Sequence, residues 1–259
     1  MTTSPAAPGL DHPLPPAGRA ANPLRRVLSH AGYEARTTLR NGEQLLLSLV
    51  LPALLLVFLA EATVVDVPTD GGLARIDVVA PGVLALAVMS SAFTGQAIAT
   101  GFDRRAGALR MFATTPLGRG GLLGGKIVAV VAVQVVQLVV LGGISLALGW
   151  RPALAGIPAA LVSMVLGTAA FTALALLLAG TLRAEAVLAG ANLLWVLLLA
   201  GGGILLPGGA WTSALPSGAL GDGLRLALGH GDWSVWPILV LSAWTALLTW
   251  ACVRLFRWS

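Results

Sequence analysis

Six long apolar stretches recur along this 259-residue chain: Leu45–Ala60, Val78–Gly101, Ile127–Trp150, Ala155–Leu182, Ala186–Leu206 and Trp236–Phe256. A helix of about 20 residues rises about 30 Å, the thickness of a bilayer's hydrocarbon core. Backbone polar groups find no water there, so only helices and closed barrels cross it. Barrel strands alternate apolar and polar side chains, and these stretches do not. The fold class that follows is an all-α polytopic membrane protein with six transmembrane helices. Composition agrees, at 57% hydrophobic and 10% charged residues.

The segments between the spans set the orientation. With both ends of the chain inside, thirteen Lys and Arg residues fall on inner segments, and only Arg75, Arg151 and Arg225 fall outside. By the positive-inside rule both termini are cytoplasmic. The abundance of Ala, Gly, Leu and Arg suits a high-GC bacterial genome, hence a bacterial plasma membrane. Residues 1–22, rich in Pro, Ala and Gly, read as a disordered cytoplasmic tail without the apolar core of a signal peptide. Residues 23–43 read as an interfacial amphipathic helix. Leu24, Val27, Leu28, Ala31, Ala35 and Leu39 lie on one side, and Arg25, Arg26, Ser29, Tyr33, Arg36 and Arg40 on the other. A short soluble helix packed on a partner is the alternative there. Residues 44–259 form the six-span unit, with an inner loop at 103–126 and an outer loop at 207–235. Pro52 is expected to kink the first span, and Gly201–Gly203 with Pro207 to cut the fifth short. Within the outer loop only a weakly helical piece is expected, around Leu220–Leu228.

Chemistry is sparse. The inner loop, Asp103–Lys126, carries Asp103, Arg104, Arg105, Arg110, Arg119 and Lys126, a net charge of about +4. Gly120–Lys126 fits G-x-x-x-x-G-K, the start of a phosphate-binding loop. Ile127 stands where a Mg2+-holding Ser or Thr belongs, and no strand precedes, so chance in a glycine-rich chain accounts for the match. No titratable side chain lies deep in a span, which argues against an ion-coupled carrier and an intramembrane enzyme. Cys252 is the single cysteine, and His30 and His230 are isolated, so neither a disulfide nor a metal site is expected. The basic residues flank membrane spans, so nucleic acid is not implied. Ser90, Thr94, Gln134, Gln137 and Asn192 are polar within spans. They form either a packing face between helices or the lining of a translocation path. Mid-span Trp195 and Trp244 read as packing, and Glu185 as the partner of Arg183 in a turn. If transport is the task, its energy comes from outside this chain.

The inner loop also resembles a known family. Phe102-Asp103-Arg104-Arg105-Ala106-Gly107-Ala108-Leu109-Arg110, then Thr115-Pro116-Leu117 and Gly125-Lys126, is similar to the cytoplasmic loop of ABC-2 type permeases. That loop reads roughly E-R-E-x-G-T-L-E, then T-P-L, then G-K before the third span. Gly202–Pro207, Leu215-Pro216 and Leu224-Arg225 are similar to the family's outer loop. The resemblance covers about residues 23–256 and is nearest the drug and antibiotic exporter branch. Arg105 and Arg110 stand where the family carries acidic residues.

The resemblance implies a permease subunit without an ATPase site or cofactor of its own. Two soluble ATP-binding-cassette ATPase subunits, holding ATP and Mg, would dock on a pair of permease chains, identical or sister, in membrane lipid. Coupling contacts would fall on Asp103, Arg104, Arg105, Gly107, Leu109, Arg110, Phe112 and Pro116. Asp103 would cap this segment, Gly107 would allow close approach and Pro116 would end it. The alternative is that the arginines only set topology and bind anionic head groups. With no charge in the spans, the expected cargo is amphipathic or lipid-like. Competing readings are a secondary transporter, which needs facing broken helices, and a non-transporting membrane scaffold.

Overall fold

Pro23 opens the first helix, α1 (Pro23–Arg40), where its fixed φ and missing N–H cost nothing. The computed structural model describes residues 22–40, 42–62, 65–69, 72–105 and 118–255. Arg25, Ser29, Tyr33, Arg36 and Arg40 are exposed along α1 while Ala31 is buried. Leu28, on the apolar side, is exposed as well.

The next helix, α2 (Gly42–Glu61), runs through Pro52 as one element, with the proline buried. The second apolar stretch forms a rod in three pieces: α3 (Arg75–Met89), a π-turn (Ser90–Gly95) and α4 (Gln96–Arg105). A wide turn inside a long helix needs a local cause. Here the Ser91 hydroxyl lies 2.9 Å from the Ala87 carbonyl and 3.2 Å from that of Val88, competing with the backbone ladder. After the inner loop come α5 (Gly118–Ala147), α6 (Ile157–Thr181), α7 (Ala184–Gly201), α8 (Pro216–Arg225) and α9 (Val235–Leu255). Helix α1 packs along α5.

Among the described residues there is no strand, and five helical rods are long and apolar enough to cross a membrane. These are Arg75–Arg105, Lys126–Ala147, Leu154–Thr181, Ala184–Gly201 and Val235–Leu255. A shorter apolar helix, Ser48–Glu61, is the part of α2 that adjoins them. The chain is an all-α polytopic membrane protein. Its centre is the α3–α4 rod, whose apolar window is 83% buried, against 11% for α7. Phe93, Phe171, Leu86, Met89, Leu220 and Leu241 fill the core. Leu193 and Leu197 of α7, like Leu239 and Trp250 of α9, point outward, as lipid-facing side chains do.

The largest departure from the sequence reading is the outer loop. The weakly helical piece expected near Leu220–Leu228 is the regular helix α8, starting at Pro216 and prolonged by a π-turn, Leu226–His230. Nearly all of α8 is buried, packed on α3, α6 and α9. Gly218, Ala219, Gly221 and Gly223 explain both facts. The three glycines depress helix propensity, which hides the helix from periodicity, and all four small residues let it sink among its neighbours. Close approach recurs at Gly82, where an added Cβ would strike the Leu205 carbonyl, and at Gly156, where it would strike that of Ala227. Beyond Gly201 the chain leaves the helix, as its glycines and Pro207 require.

Candidate coupling end and intramembrane polar seam

The C-terminal end of α4 is where the basic inner loop begins, and its side chains reach three other helices. Arg104 Nη1 donates to the carbonyls of Ala179 at 2.9 Å and Leu182 at 3.0 Å. Those oxygens belong to the last turn and cap of α6, where carbonyls lack helical partners and a cation is favoured. Arg105 Nη1 meets Glu185 Oε1 at 2.8 Å, in the first turn of α7. The sequence reading paired Glu185 with Arg183; its bond is to Arg105 instead, because a span's end brings α4 beside the α6–α7 turn. Gly101 faces Val187, whose Cγ1 would lie 3.3 Å from an added Cβ, so α4 and α7 run close. Asp103 Oδ2 lies 3.7 Å from Lys126 Nζ on α5, a lysine only 2% exposed. The other coupling residues expected from sequence, Gly107, Leu109, Arg110, Phe112 and Pro116, lie outside the described residues.

A second group of polar side chains lies mid-bundle, around the π-turn. Gln134 of α5 is buried, its Nε2 3.3 Å from Ser91 Oγ and its Oε1 2.9 Å from Thr168 Oγ1 of α6. Thr168 Oγ1 also lies 2.7 Å from the Met164 carbonyl, and its single proton serves one acceptor at a time. Ser90 accepts from Trp195 Nε1 at 2.9 Å, fixing α7 to the π-turn. Gln137 donates to the Ser48 carbonyl of α2 at 3.3 Å. Its Oε1 has no partner among the described residues, nor do Thr94 Oγ1, Gln96 Oε1, Thr100 Oγ1 and Thr172 Oγ1. A void of about 10 Å3 beside Gln134 and Gln137 is at the lower limit for one water.

Of the five intramembrane residues named from sequence, the structure gathers Ser90, Thr94, Gln134 and Gln137 into this seam. Asn192 is exposed on α7 and takes no part in it. Within one chain the seam is packed, with amides and hydroxyls bonded across helices. Sequence reasoning missed Thr168 and left Ser91, polar within the second span, out of the candidate residues, although both bond to Gln134. It also read Trp195 as packing alone, and its indole N–H carries a hydrogen bond.

Two arginines and a motif complete the picture. Arg75 opens α3, and its guanidinium donates to Leu59, Ala62 and Val65 carbonyls at 2.6, 2.6 and 2.8 Å, closing the end of α2. Arg225, counted in the outer loop from sequence, is buried, bonded to Asp222 and to the carbonyls of Gly203 and Ile204. Gly120–Lys126 is regular helix at the start of α5, so it forms no phosphate-cradling loop.

No curated protein matches the chain. The sequence model described as ABC-2 family transporter protein matches residues 69–254, from just before α3 to the last turn of α9. With this match over most of its length, the chain belongs to the ABC-2 family of transporter proteins, as a multi-pass permease subunit.

Proposed function

We propose that the chain exports an amphipathic or lipid-like cargo, of drug or antibiotic class, across a bacterial plasma membrane. A separate soluble subunit hydrolyses the ATP, holding it with Mg2+. Two such subunits dock on two permease chains from the cytoplasmic side, where both termini lie, and α2 completes a set of six spans. The single observation that carries this reading is the fastening of α4. Asp103, Arg104 and Arg105 reach α5, α6 and α7 immediately before residue 106. A displacement of the segment around Gly107, Leu109, Arg110, Phe112 and Pro116 would therefore move several spans together, the rigid-body form of switching. Arg104 and Arg105 transmit in this scheme, and the residues after them dock. The cargo class follows from a mid-bundle seam of amides and hydroxyls rather than charges.

Co-purification tests the scheme. Tagged wild type, Arg110→Glu and Gly107→Trp are extracted from the native host in mild detergent. A P-loop ATPase recovered with wild type and lost from both variants supports the docking segment and the energy source. An ATPase retained by both variants moves the docking surface elsewhere, with α1 the next candidate. Recovery of no ATPase, under conditions that preserve comparable complexes, overturns the ATP-driven reading and favours a secondary transporter.

A further inference from the structure

Helix α9 runs beside α6 in the same direction. Thr245 Oγ1 lies 3.1 Å from the Leu166 carbonyl, and one turn further on Leu248 packs against Ala170 and Ala173. On the outward side of this pair lies an open groove of about 580 Å3. Short side chains of α9, Ser242, Ala246 and Thr249, form its floor, and Leu166, Trp250 and Val253 rise around them. Ser242, Ala246 and Val253 are exposed, so the groove faces the bilayer and not the bundle. Its two ends differ. Arg254, in the last turn of α9, sits over the Trp250 ring, 5.7 Å from the centroid, and has no carboxylate partner among the described residues. The Thr249 hydroxyl has no hydrogen bond among them either.

From Ser242 to Arg254 the helix rises about 18 Å, little more than the roughly 15 Å of one leaflet's hydrocarbon. Thr249 sits about 7 Å short of Arg254 along the axis. We propose that this groove holds one anionic phospholipid. The guanidinium offers its planar fork to the phosphate oxygens, and the Trp250 ring restrains it before the lipid arrives. The Thr249 hydroxyl meets an ester carbonyl beneath the phosphate, and an acyl chain lies along Ala246 and Ser242. A zwitterionic headgroup brings its own cation beside Arg254, which disfavours it. The groove is separate from the mid-bundle seam, so the site stands whatever the cargo.

Native mass spectrometry of the full chain, delipidated in mild detergent, tests this with dioleoyl phosphatidylglycerol and dioleoyl phosphatidylcholine as probes. The first phosphatidylglycerol is expected to bind about fivefold or more tightly than phosphatidylcholine, the preference one arginine gives near an anionic surface. Arg254→Gln is expected to remove that preference. Arg183→Gln, at the same end of the bundle but outside the groove, is expected to leave it. Ala246→Trp fills the trough without altering charge and is expected to weaken both lipids about tenfold. All three positions are exposed, and gel filtration certifies each variant. Arg254→Gln decides the matter on its own if Ala246→Trp does not fold. Equal binding of the two lipids overturns the proposal, as does a preference that survives Arg254→Gln or falls equally with Arg183→Gln. So does lipid affinity that Ala246→Trp leaves unchanged. A dimer that Ala246→Trp splits into monomers also overturns it, by placing a second copy of this chain in the groove.

Discussion

Arg104 Nη1 donates to the Ala179 carbonyl at 2.9 Å across 75 residues of sequence, so one span's last turn caps the end of another. Arg75 does the same for α2 at the opposite end of the α3–α4 rod, through the carbonyls of Leu59, Ala62 and Val65. The central rod thus begins and ends with a guanidinium that completes a neighbouring helix. An arginine suits this task because its planar fork reaches several carbonyls at once.

Removing the Arg104 cap should therefore lower stability. Arg104→Ala loses charged hydrogen bonds to two carbonyls, and partial exposure limits the cost to about 1–3 kcal/mol. Thermal unfolding in detergent, followed by intrinsic tryptophan fluorescence, is expected to shift downward. Arg104→Lys should recover only part of the loss. An unchanged midpoint for Arg104→Ala would show that water replaces the cap.

The neighbouring ion pair behaves differently. Arg105 and Glu185 side chains are 64% and 70% exposed, so solvent screens their 2.8 Å contact. Glu185→Gln is expected to cost less than about 1 kcal/mol, and raising salt should erase even that difference. A loss as large as that of Arg104→Ala would mean that the pair is shielded in the assembled protein.

Gln134 and Thr168 should couple in a double-mutant cycle. Thr168→Val alone leaves Gln134 Oε1 buried without its donor, at about 1–3 kcal/mol. After Gln134→Leu the Thr168 hydroxyl keeps the Met164 carbonyl, and the loss is smaller. The double variant is expected to be more stable than the sum of the two losses predicts. Additive losses would place a water, rather than Thr168, as the partner of Gln134.

Glycines divide into those that space permits to change and those it does not. Gly82→Val drives a side chain into the Leu205 carbonyl, a backbone atom that cannot turn aside, and monodisperse protein should be lost on gel filtration. Gly143, on α5, has nothing within 4 Å of an added Cβ. Gly143→Ala should raise stability by up to about 1 kcal/mol through helix propensity. Loss of folded protein on Gly143→Ala would reveal a neighbour on that face of α5.

Much of the architecture was legible before any coordinates. The apolar stretches predict the α3–α4 rod, α6 and α9 within a few residues, since lipid leaves the backbone no alternative to helix. By contrast α5 starts well before its stretch, at Gly118, and α7 stops short of its own, at Gly201. Pro23, Gly201 and Pro207 mark boundaries because their backbone limits are local. The loop that begins at Asp103 carries the family resemblance in a short string of residue types, and the ABC-2 match over residues 69–254 agrees with it. Half of the site was legible too: Gln134 and Gln137, one turn apart, had to share a face, and that face is buried.

The sequence by itself determined that the chain is a bundle of membrane helices, because hydrophobicity and helical period are properties of neighbouring residues. Only the tertiary structure decided where the exceptions go. It buried the glycine-rich α8 and its Arg225, gave Glu185 to Arg105, set Asn192 apart from the seam, and turned Arg75 and Arg104 into caps. Each of these depends on which helix ends and faces meet. That is a matter of packing between residues remote in sequence, which no local pattern encodes.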